Sequence, residues 1–237
     1  KIKIKENLDL KLFFNKFVYN SKLINKKNNW KKFCSDIKKK YNKIYITKKK
    51  NFIDPYNFVE VLSSKLKKGD NVVIDGGGTC NQIFFQSFKN KANQRVFISA
   101  GVCAMGSGLP DSIGISTAKI ENDKVHLICG DGSFQLNIQE LQTIKDNKLN
   151  IKIFVFSNRS YLSIRHTQEQ FLNSNFVGST PDGGLDVPNI KKISKAYGIK
   201  YYSFDNINRF GKNFSKINSS PDPTIFEIKM DPNYEIK

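Results

Sequence analysis

From residue 54 onward, short apolar runs alternate with longer segments in which apolar positions recur at helical spacing. The sequence Asp54-Pro55 marks a break before this region. The apolar runs predict strands at residues 71–75, 96–99, 125–129, 151–156, 200–204 and 224–229. The segments between them predict helices at residues 57–67, 80–88, 106–118 and 188–197, and one after Ser133. This alternation predicts an α/β fold, a doubly wound parallel sheet with helices on both faces.

The first 50 residues follow a different pattern. Apolar residues lie at i, i+3, i+4 and i+7 on a charged background between residues 23 and 41, at Trp30, Phe33, Cys34, Ile37 and Tyr41. This spacing predicts one amphipathic helix, with Trp30 as a packing anchor. The change of pattern divides the chain into residues 1–53 and residues 54–237.

The positive charge is concentrated in this first segment. Residues 1–50 hold 17 Lys, no Arg and three acids, and so carry +14 of the net +18. A basic arm that binds nucleic acid or an anionic membrane is one interpretation. A solvated linker with a compositional bias towards Lys is the other, and the lack of Arg, the preferred phosphate ligand, favours it. We therefore expect no nucleic-acid partner.

The sequence gives no sign of membrane insertion or zinc binding. There is no apolar run near the length of about 18 residues that suggests a transmembrane helix, and no signal peptide is visible. The first residue is Lys1 rather than Met, which suggests a piece of a longer protein. The cysteines lack CxxC spacing and the histidines are isolated; they are Cys34, Cys80, Cys103, Cys129, His126 and His166. Dispersed cysteines in such a chain indicate small core residues and a reducing cytoplasm.

The strongest chemical signal is a pair of polar positions at the ends of two consecutive predicted strands. Gly130-Asp131-Gly132-Ser133 ends the first, and Asn158 ends the next. Mg²⁺ prefers oxygen ligands, usually one or two carboxylates with substrate phosphates and water. The glycines allow a sharp turn, and the following helix would direct N–H groups at a diphosphate. A lone Gly-Asp-Gly is more often an ordinary turn, but Asn158 at this spacing favours a metal–diphosphate site.

This arrangement resembles the thiamine-diphosphate enzymes, whose signature is Gly-Asp-Gly, roughly 25 residues, then Asn-Asn. Residues 100–114 (AGVCAMGSGLPDSIG) also resemble a segment of acetolactate synthases and related decarboxylases. The resemblance implies that residues 54–237 are the diphosphate-binding domain, and that residues 1–53 are the end of a middle domain plus a linker.

The resemblance also implies roles for individual residues. Metal ligands would be Asp131, Asn158 and the carbonyl of Ser160. Diphosphate contacts would come from two groups: Ser133 with the amides of Tyr161 and Leu162, and a second turn formed by Gly77, Gly78 and Thr79. Met105 would support the cofactor in its bent shape, and the carbonyl of Cys103 would accept a hydrogen bond from the aminopyrimidine.

The chain departs from the family pattern in three places. Ser157-Asn158 replaces Asn-Asn, which leaves the ligand position intact. Thr167 occupies a position where acetohydroxyacid synthases have a Trp near the substrate, and YLSIRHTQEQF looks closer to acetolactate-synthase-like enzymes of surface-polysaccharide pathways. The family's catalytic Glu belongs to a separate pyrimidine-binding domain that this chain does not resemble, and Glu140 and Glu169 lie in the wrong domain for it.

These observations lead us to expect part of an enzyme that decarboxylates a 2-oxo acid, with or without carboligation. Its cofactors would be thiamine diphosphate and Mg²⁺. Its partners would be a pyrimidine-binding domain, upstream or on another chain, and further copies in a homo-oligomer. Two alternatives remain open: a non-catalytic diphosphate-binding or interaction subunit, and a nucleic-acid-binding α/β protein that uses the Lys-rich arm.

Overall fold

The computed structural model describes residues 7–19, 28–40, 47–118 and 124–236, which belong to two compact units divided near residue 45 of the chain. The first unit contains helices α1 (Leu10–Tyr19) and α2 (Asn28–Lys40). Helix α2 confirms the predicted amphipathic helix over residues 28–40, and the rest of that prediction, including Tyr41, lies outside the described residues. Trp30 stacks on Phe33 but is 62% exposed, so it is not buried as the expected packing anchor.

A six-stranded parallel sheet forms the centre of the second unit. Its strands are β1 (Asn71–Ile74), β2 (Arg95–Ile98), β3 (Val125–Gly130), β4 (Ile151–Ser157), β5 (Lys200–Phe204) and β6 (Thr224–Lys229). They are ordered β2-β1-β3-β4-β6-β5, and every pair is parallel. Each strand begins and ends within one residue of its predicted position. The prediction is this close because parallel strands buried on both faces have continuous apolar sequences.

Helices cover both faces of this sheet, as predicted. They are α3 (Pro55–Lys65), α4 (Gly78–Ser87), α5 (Gly108–Thr117), α6 (Asp131–Leu136), α7 (Glu140–Asp146), α8 (Leu162–Phe171), α9 (Ile190–Ala196) and α10 (Ile207–Asn218). On one face, aromatic rings from α3 and α10 pack on β4, as Phe58 and Phe210 do on Phe154. On the other face, α5, α7 and α9 contribute Leu109, Ile144 and Ile190 to an aliphatic core. None of the described helices is long and apolar enough to cross a bilayer.

The predicted break at Asp54-Pro55 is the start of α3. The Asp54 carboxylate accepts a hydrogen bond from the Asn57 amide at 3.0 Å, and Pro55 occupies the first turn, where its missing N–H costs nothing. The same carboxylate accepts bonds from the Thr47 amide and the Tyr234 hydroxyl. This buried acid therefore fixes both ends of the second unit to its first helix.

The strand order places three carboxyl ends side by side. Ile74 of β1 is aligned with Ile128 of β3, and Gly130 of β3 is aligned with Phe156 of β4. The residues that follow these strands consequently meet at one edge of the sheet, the edge where α/β proteins bind ligands.

Candidate functional site

Asp131 is held at this edge by backbone amides from two loops. Its Oδ1 accepts from the Gly132 amide at 2.8 Å. Its Oδ2 accepts from the amides of Asn158 at 3.0 Å and Arg159 at 2.7 Å. The side chain therefore joins the turn after β3 to the turn after β4, and the two positions singled out in the sequence are in direct contact.

The Asp131 carboxyl is 3% exposed. Burial raises its pKa to about 6, although the amides of Arg159, Gly132 and Asn158 act in the opposite direction. Among the described residues no Lys, Arg or His forms an ion pair with it. A buried carboxylate in this state suits a bound cation, which would favour the charged form.

Asn158 and Ser160 lie beside Asp131 on the loop after β4. Both are buried and line the same pocket. The Ser160 hydroxyl donates to the Ser179 carbonyl at 3.0 Å. Within the described chain no cluster of three His, Cys, Asp or Glu side chains is placed to hold a metal, so the proposed ligand set depends on an amide and a carbonyl oxygen in addition to Asp131.

Tyr161 and Leu162 lead into α8 along one wall of the pocket. The Tyr161 amide donates to the Ser179 carbonyl at 3.0 Å, so it already has a partner in this structure. Leu162 is the first residue of α8 and also lines the pocket. A diphosphate contact from Tyr161 would therefore require that bond to open or to be shared.

The two glycines around Asp131 have different surroundings. Gly130 has φ −84° and ψ 161°, a conformation open to any residue, and no atom of the described residues lies within 4 Å of where its β-carbon would be. A β-carbon on Gly132 would instead lie 2.0 Å from the Tyr161 ring. The sequence-based reason for these glycines, a sharp turn, does not hold at Gly130; at Gly132 the requirement is space for an aromatic ring. The predicted helix after Ser133 begins at Asp131 and is divided into the short helices α6 and α7.

The second predicted turn faces the first one. A β-carbon on Gly77 would lie 3.0 Å from the Ser133 hydroxyl, and one on Gly78 would lie 3.0 Å from the Ser163 hydroxyl. Thr79 and Ser163 share a hydrogen bond of 3.1 Å between their hydroxyls. The turn at residues 77–79 consists of Gly77, which caps α4, and the first two residues of that helix, and it forms the opposite wall of the pocket. The space that the two glycines leave is taken by the Ser133 and Ser163 hydroxyls.

Met105 and Cys103 lie on the loop before α5, and only Met105 lines the pocket. Met105 is half-buried there. Cys103 is exposed and adopts the left-handed region with φ 50°, and its thiol donates to the Ala100 carbonyl at 3.3 Å. Every other residue predicted for the site borders the pocket.

Five further residues of the described chain line the pocket, and the sequence did not identify them. They are Cys80, Phe156, Ser163, Ile164 and Met230. The first four lie within two positions of a predicted contact along the chain, and that adjacency was the available signal. Met230 follows β6, the neighbour of β4, so only the strand order brings it to the site. Glu169 pairs with Arg165 on α8 at 2.7 Å and does not line the pocket.

Comparison with known proteins identifies this architecture. Residues 76–228 match the family described as thiamine pyrophosphate enzyme, C-terminal TPP binding domain. The chain belongs to this family. Membership confirms the resemblance drawn from the Gly-Asp-Gly and Asn158 signals, and thiamine diphosphate, also called thiamine pyrophosphate, as the expected cofactor.

Individual relatives agree with the family assignment. The acetolactate synthase large subunit of Porphyra purpurea is 30% identical over 190 residues, which are 80% of this chain and 31% of the relative. The acetolactate synthase large subunit of Lactococcus lactis is 27% identical over 221 residues, which are 93% of this chain and 37% of the relative. The chain thus spans about a third of the length of these relatives.

Solved structures support the same fold. Benzoylformate decarboxylase from Polynucleobacter necessarius superposes with a TM-score of 0.69 at 20% identity, covering 82% of this chain and 36% of that one. The thiamine diphosphate-dependent 4-hydroxybenzoylformate decarboxylase of Rhodococcus jostii RHA1 gives 0.67 at 22% identity, covering 79% and 34%. At this identity the likeness establishes the fold of the domain.

Proposed function

We propose that this chain is the cofactor-binding portion of a thiamine-diphosphate enzyme that acts on a 2-oxo acid by decarboxylation, carboligation or both, as acetolactate synthases do. The observation that carries the proposal is the pocket at the carboxyl edge of the sheet, where Asp131, Asn158 and the turn at residues 77–79 meet. Family membership and the acetolactate synthase relatives support the same assignment.

In this proposal Mg²⁺ binds at the buried end of the pocket. The Asp131 carboxylate, the Asn158 amide oxygen and the Ser160 carbonyl would hold the ion, and the diphosphate and water would complete the set of oxygen ligands that Mg²⁺ prefers. The fit is supported by the buried, unbalanced charge of Asp131, which a divalent cation would neutralise. The other diphosphate contacts come from Ser133 and Leu162, from Tyr161 once its amide is freed or shared, and from the turn at 77–79.

The remaining residues orient the organic part of the cofactor. When bound, thiamine diphosphate supplies the electron sink for cleavage next to the carbonyl of a 2-oxo acid. Met105 would provide an apolar support from the loop before α5. The Cys103 carbonyl, which lies outside the pocket lining, would accept a hydrogen bond from the aminopyrimidine of a cofactor that extends beyond the pocket. Asp131, Asn158 and Ser160 are buried, and this low exposure to water would strengthen each polar contact at the charged end.

The rest of the active site lies on other parts of the protein in this proposal. A pyrimidine-binding domain, upstream or on a partner chain in a homo-oligomer, supplies the catalytic Glu. Residues 1–53 are the end of a middle domain and a Lys-rich linker, and the boundary between the two units near residue 45 supports a division in this region. Unpaired cysteines support a cytoplasmic location.

The direct test is calorimetry on the 237-residue chain with thiamine diphosphate, with and without Mg²⁺. We expect weak binding that requires Mg²⁺ and that Asp131→Asn abolishes. Asp70→Asn is the matched control, because Asp70 is also buried and accepts a backbone amide, from Lys67 at 2.8 Å, at the opposite end of β1. A folded wild-type chain that binds no cofactor at millimolar concentrations would refute the proposal.

A second measurement separates the enzyme from a non-catalytic binding subunit. We expect no decarboxylation of pyruvate by this chain alone, and turnover by a longer chain that includes the pyrimidine-binding domain. Turnover by the 237-residue chain would show that a catalytic acid lies within it. A complete chain that binds the cofactor but turns over no 2-oxo acid would favour the binding subunit.

A further inference from the structure

Asp75 is a buried acid beside the pocket rather than in its lining. It follows β1 directly, is 1% exposed, and sits between the turn at residues 77–79 and the loop that carries Met105. We infer that Asp75 is a positioning residue that fixes the separation of these two segments; the inference rests on the proposed function, in which one segment holds the diphosphate and the other supports the rings.

The evidence is a set of three hydrogen bonds from backbone amides. Oδ1 accepts from Gly77 at 3.1 Å and from Gly106 at 3.3 Å. Oδ2 accepts from Gly108 at 2.9 Å. One carboxylate therefore holds the turn after β1 and the loop before α5 at the same time, and these segments are about 30 residues apart in the chain.

The backbone of Asp75 is itself fixed to the sheet. Its amide donates to the Ile128 carbonyl of β3 at 3.0 Å, two residues before the Gly130-Asp131 turn. This hydrogen bond ties Asp75 to β3, the strand that leads into Asp131, the proposed metal ligand. The turn at residues 77–79 and the loop that carries Met105 are thus both fixed relative to β3. A site held rigid in this way can bind its ligand without first rearranging.

The two segments also touch directly, with no room for side chains between them. A β-carbon on Gly76 would lie 2.3 Å from the Ala104 carbonyl oxygen. One on Gly108 would lie 2.8 Å from the Asp75 Oδ2 atom. Glycine at both positions lets the backbones approach until a single aspartate can bridge them.

If Asp75 sets the separation of the two segments, its substitution should weaken the binding of a long ligand more than that of a short one. Pyrophosphate contacts only the charged end of the site, so the position of the Met105 loop does not affect it. Thiamine diphosphate must contact both segments at once, so its affinity depends on their separation. A positioning role therefore differs from a purely structural role, since loss of global stability would weaken both ligands equally.

The first variant is Asp75→Asn, which keeps one oxygen for Gly77 and Gly106 but places an NH₂ group against the Gly108 amide. In the presence of Mg²⁺ we expect the Kd for thiamine diphosphate to rise about tenfold or more, as loss of one charged hydrogen bond predicts. The Kd for pyrophosphate should change less than about twofold, within the tolerance of a remote site. Asp70→Asn again serves as the control and should change neither value.

Gly76→Ala tests the same junction without altering Asp75, and it decides the question if Asp75→Asn does not fold. Its β-carbon would force the Ala104 backbone away, and the same selective loss is expected. Equal losses for both ligands, or unchanged affinity for thiamine diphosphate, would overturn the inference while the proposed function stands. A wild-type chain that binds neither ligand would overturn both.

Discussion

Gly132 and Tyr161 are packed so closely that a β-carbon at position 132 would lie 2.0 Å from Cε1 of the tyrosine ring. The contact joins the turn after β3 to the residue before α8. A methyl group at this position cannot be accommodated unless the ring moves, and the ring forms one wall of the pocket.

We therefore predict that Gly132→Ala lowers the free energy of unfolding by about 1–3 kcal/mol, the usual cost of overpacking. Urea denaturation followed by circular dichroism measures this. Gly130→Ala is the matched variant, because its neighbouring space is open and its backbone is extended. Its cost should be within about 0.5 kcal/mol, as at positions without special constraints. Equal costs at the two positions would contradict the structure.

A second prediction concerns acid stability and His126. This side chain is fully buried on β3, and burial lowers its pKa to about 4. Its Nε2 is 3.0 Å from the Asn218 Oδ1 atom, and its Nδ1 is fully buried. Asp70, Lys124 and the Asn71 backbone are the other groups that act on it.

Because the unfolded chain binds a proton near pH 6.5 and the folded chain only near pH 4, stability is lost as pH falls between these values. The expected loss from this group is about 2 kcal/mol at pH 5 relative to pH 7.5. Urea denaturation at both values should show that His126→Gln removes this part of the pH dependence, although it costs stability at neutral pH. His166→Gln, at a partly exposed position, is the control. An unchanged dependence in His126→Gln would refute the assignment.

Arg165 provides a third prediction because it joins α8 to the segment after β6. Its guanidinium donates to the Pro232 carbonyl at 2.6 Å and to Asn233 Oδ1 at 3.1 Å, and it pairs with Glu169. The side chain is 15% exposed, whereas that of Arg209, which pairs with Asp205, is 59% exposed.

Arg165→Ala should lower the free energy of unfolding by about 1–2 kcal/mol, since it removes a part-buried bond to Glu169 and the two bonds that hold the exposed residues Pro232 and Asn233. Arg209→Ala should cost at most about 1 kcal/mol, as for an exposed ion pair. Limited proteolysis should cut residues 230–236 faster in the first variant only. Similar effects of the two substitutions would show that Arg165 does not anchor this segment.

The cysteines give a fourth prediction that needs no mutation. Cys34 and Cys103 are exposed, while Cys80 and Cys129 are buried and burial raises the pKa of both thiols well above the usual value. Thiolate is the reactive form, so iodoacetamide at neutral pH should label Cys34 and Cys103 rapidly and the other two only after unfolding. Peptide mass spectrometry identifies the labelled sites. Rapid labelling of Cys129 in the native state would contradict its burial.

The strands could be predicted because buried parallel strands consist of continuous runs of apolar residues. In β4 the run Ile151–Ser157 is buried at every position but the last. The ends of these strands carry the polar residues of the site, so the pattern alone assigns Asp131 and Asn158 to one edge of the sheet. Their contact through the Asn158 amide follows from the adjacency of β3 and β4.

Three of the described helices were not predicted. Helix α1 (Leu10–Tyr19) precedes the stretch of residues 23–41 in which the helical pattern was recognised. Helices α10 and α8 were missed for different reasons. In α10 a glycine and three asparagines disfavour a helix, yet burial of Phe210 and Phe214 against the sheet outweighs this propensity. The i, i+4 spacing of these rings after Asn206, whose side chain caps the helix, was the available signal. In α8 only Leu162 and Gln168 are buried, so periodicity is weak.

The role of Asp75 could not be predicted at all from local pattern. In the sequence Asp75 is the last residue of a predicted apolar strand. Its proposed role depends on the loop before α5, about 30 residues later, which returns to the carboxyl edge of the sheet. Similarly, the space that Gly132 leaves is defined by the ring of Tyr161, far along the chain. The spacing of residues in the sequence assigns each of them to a helix, strand or loop. The contacts of Asp75 and Gly132 depend instead on which helices, strands and loops come together in the folded protein.

The strand order has a consequence for the kinetics of folding. Asn71 of β1 pairs with Val125 of β3, and Lys152 of β4 pairs with Thr224 of β6. Each of these strand pairs closes a long loop, and the entropy cost of that closure comes before the neighbouring strands can stabilise the pair. Such non-local topology makes folding slow, and we expect the transition state to form before the edge is fully assembled. The three turns of the pocket become adjacent only when β1, β3 and β4 have all paired. Added cofactor should therefore slow unfolding and leave the rate of folding unchanged.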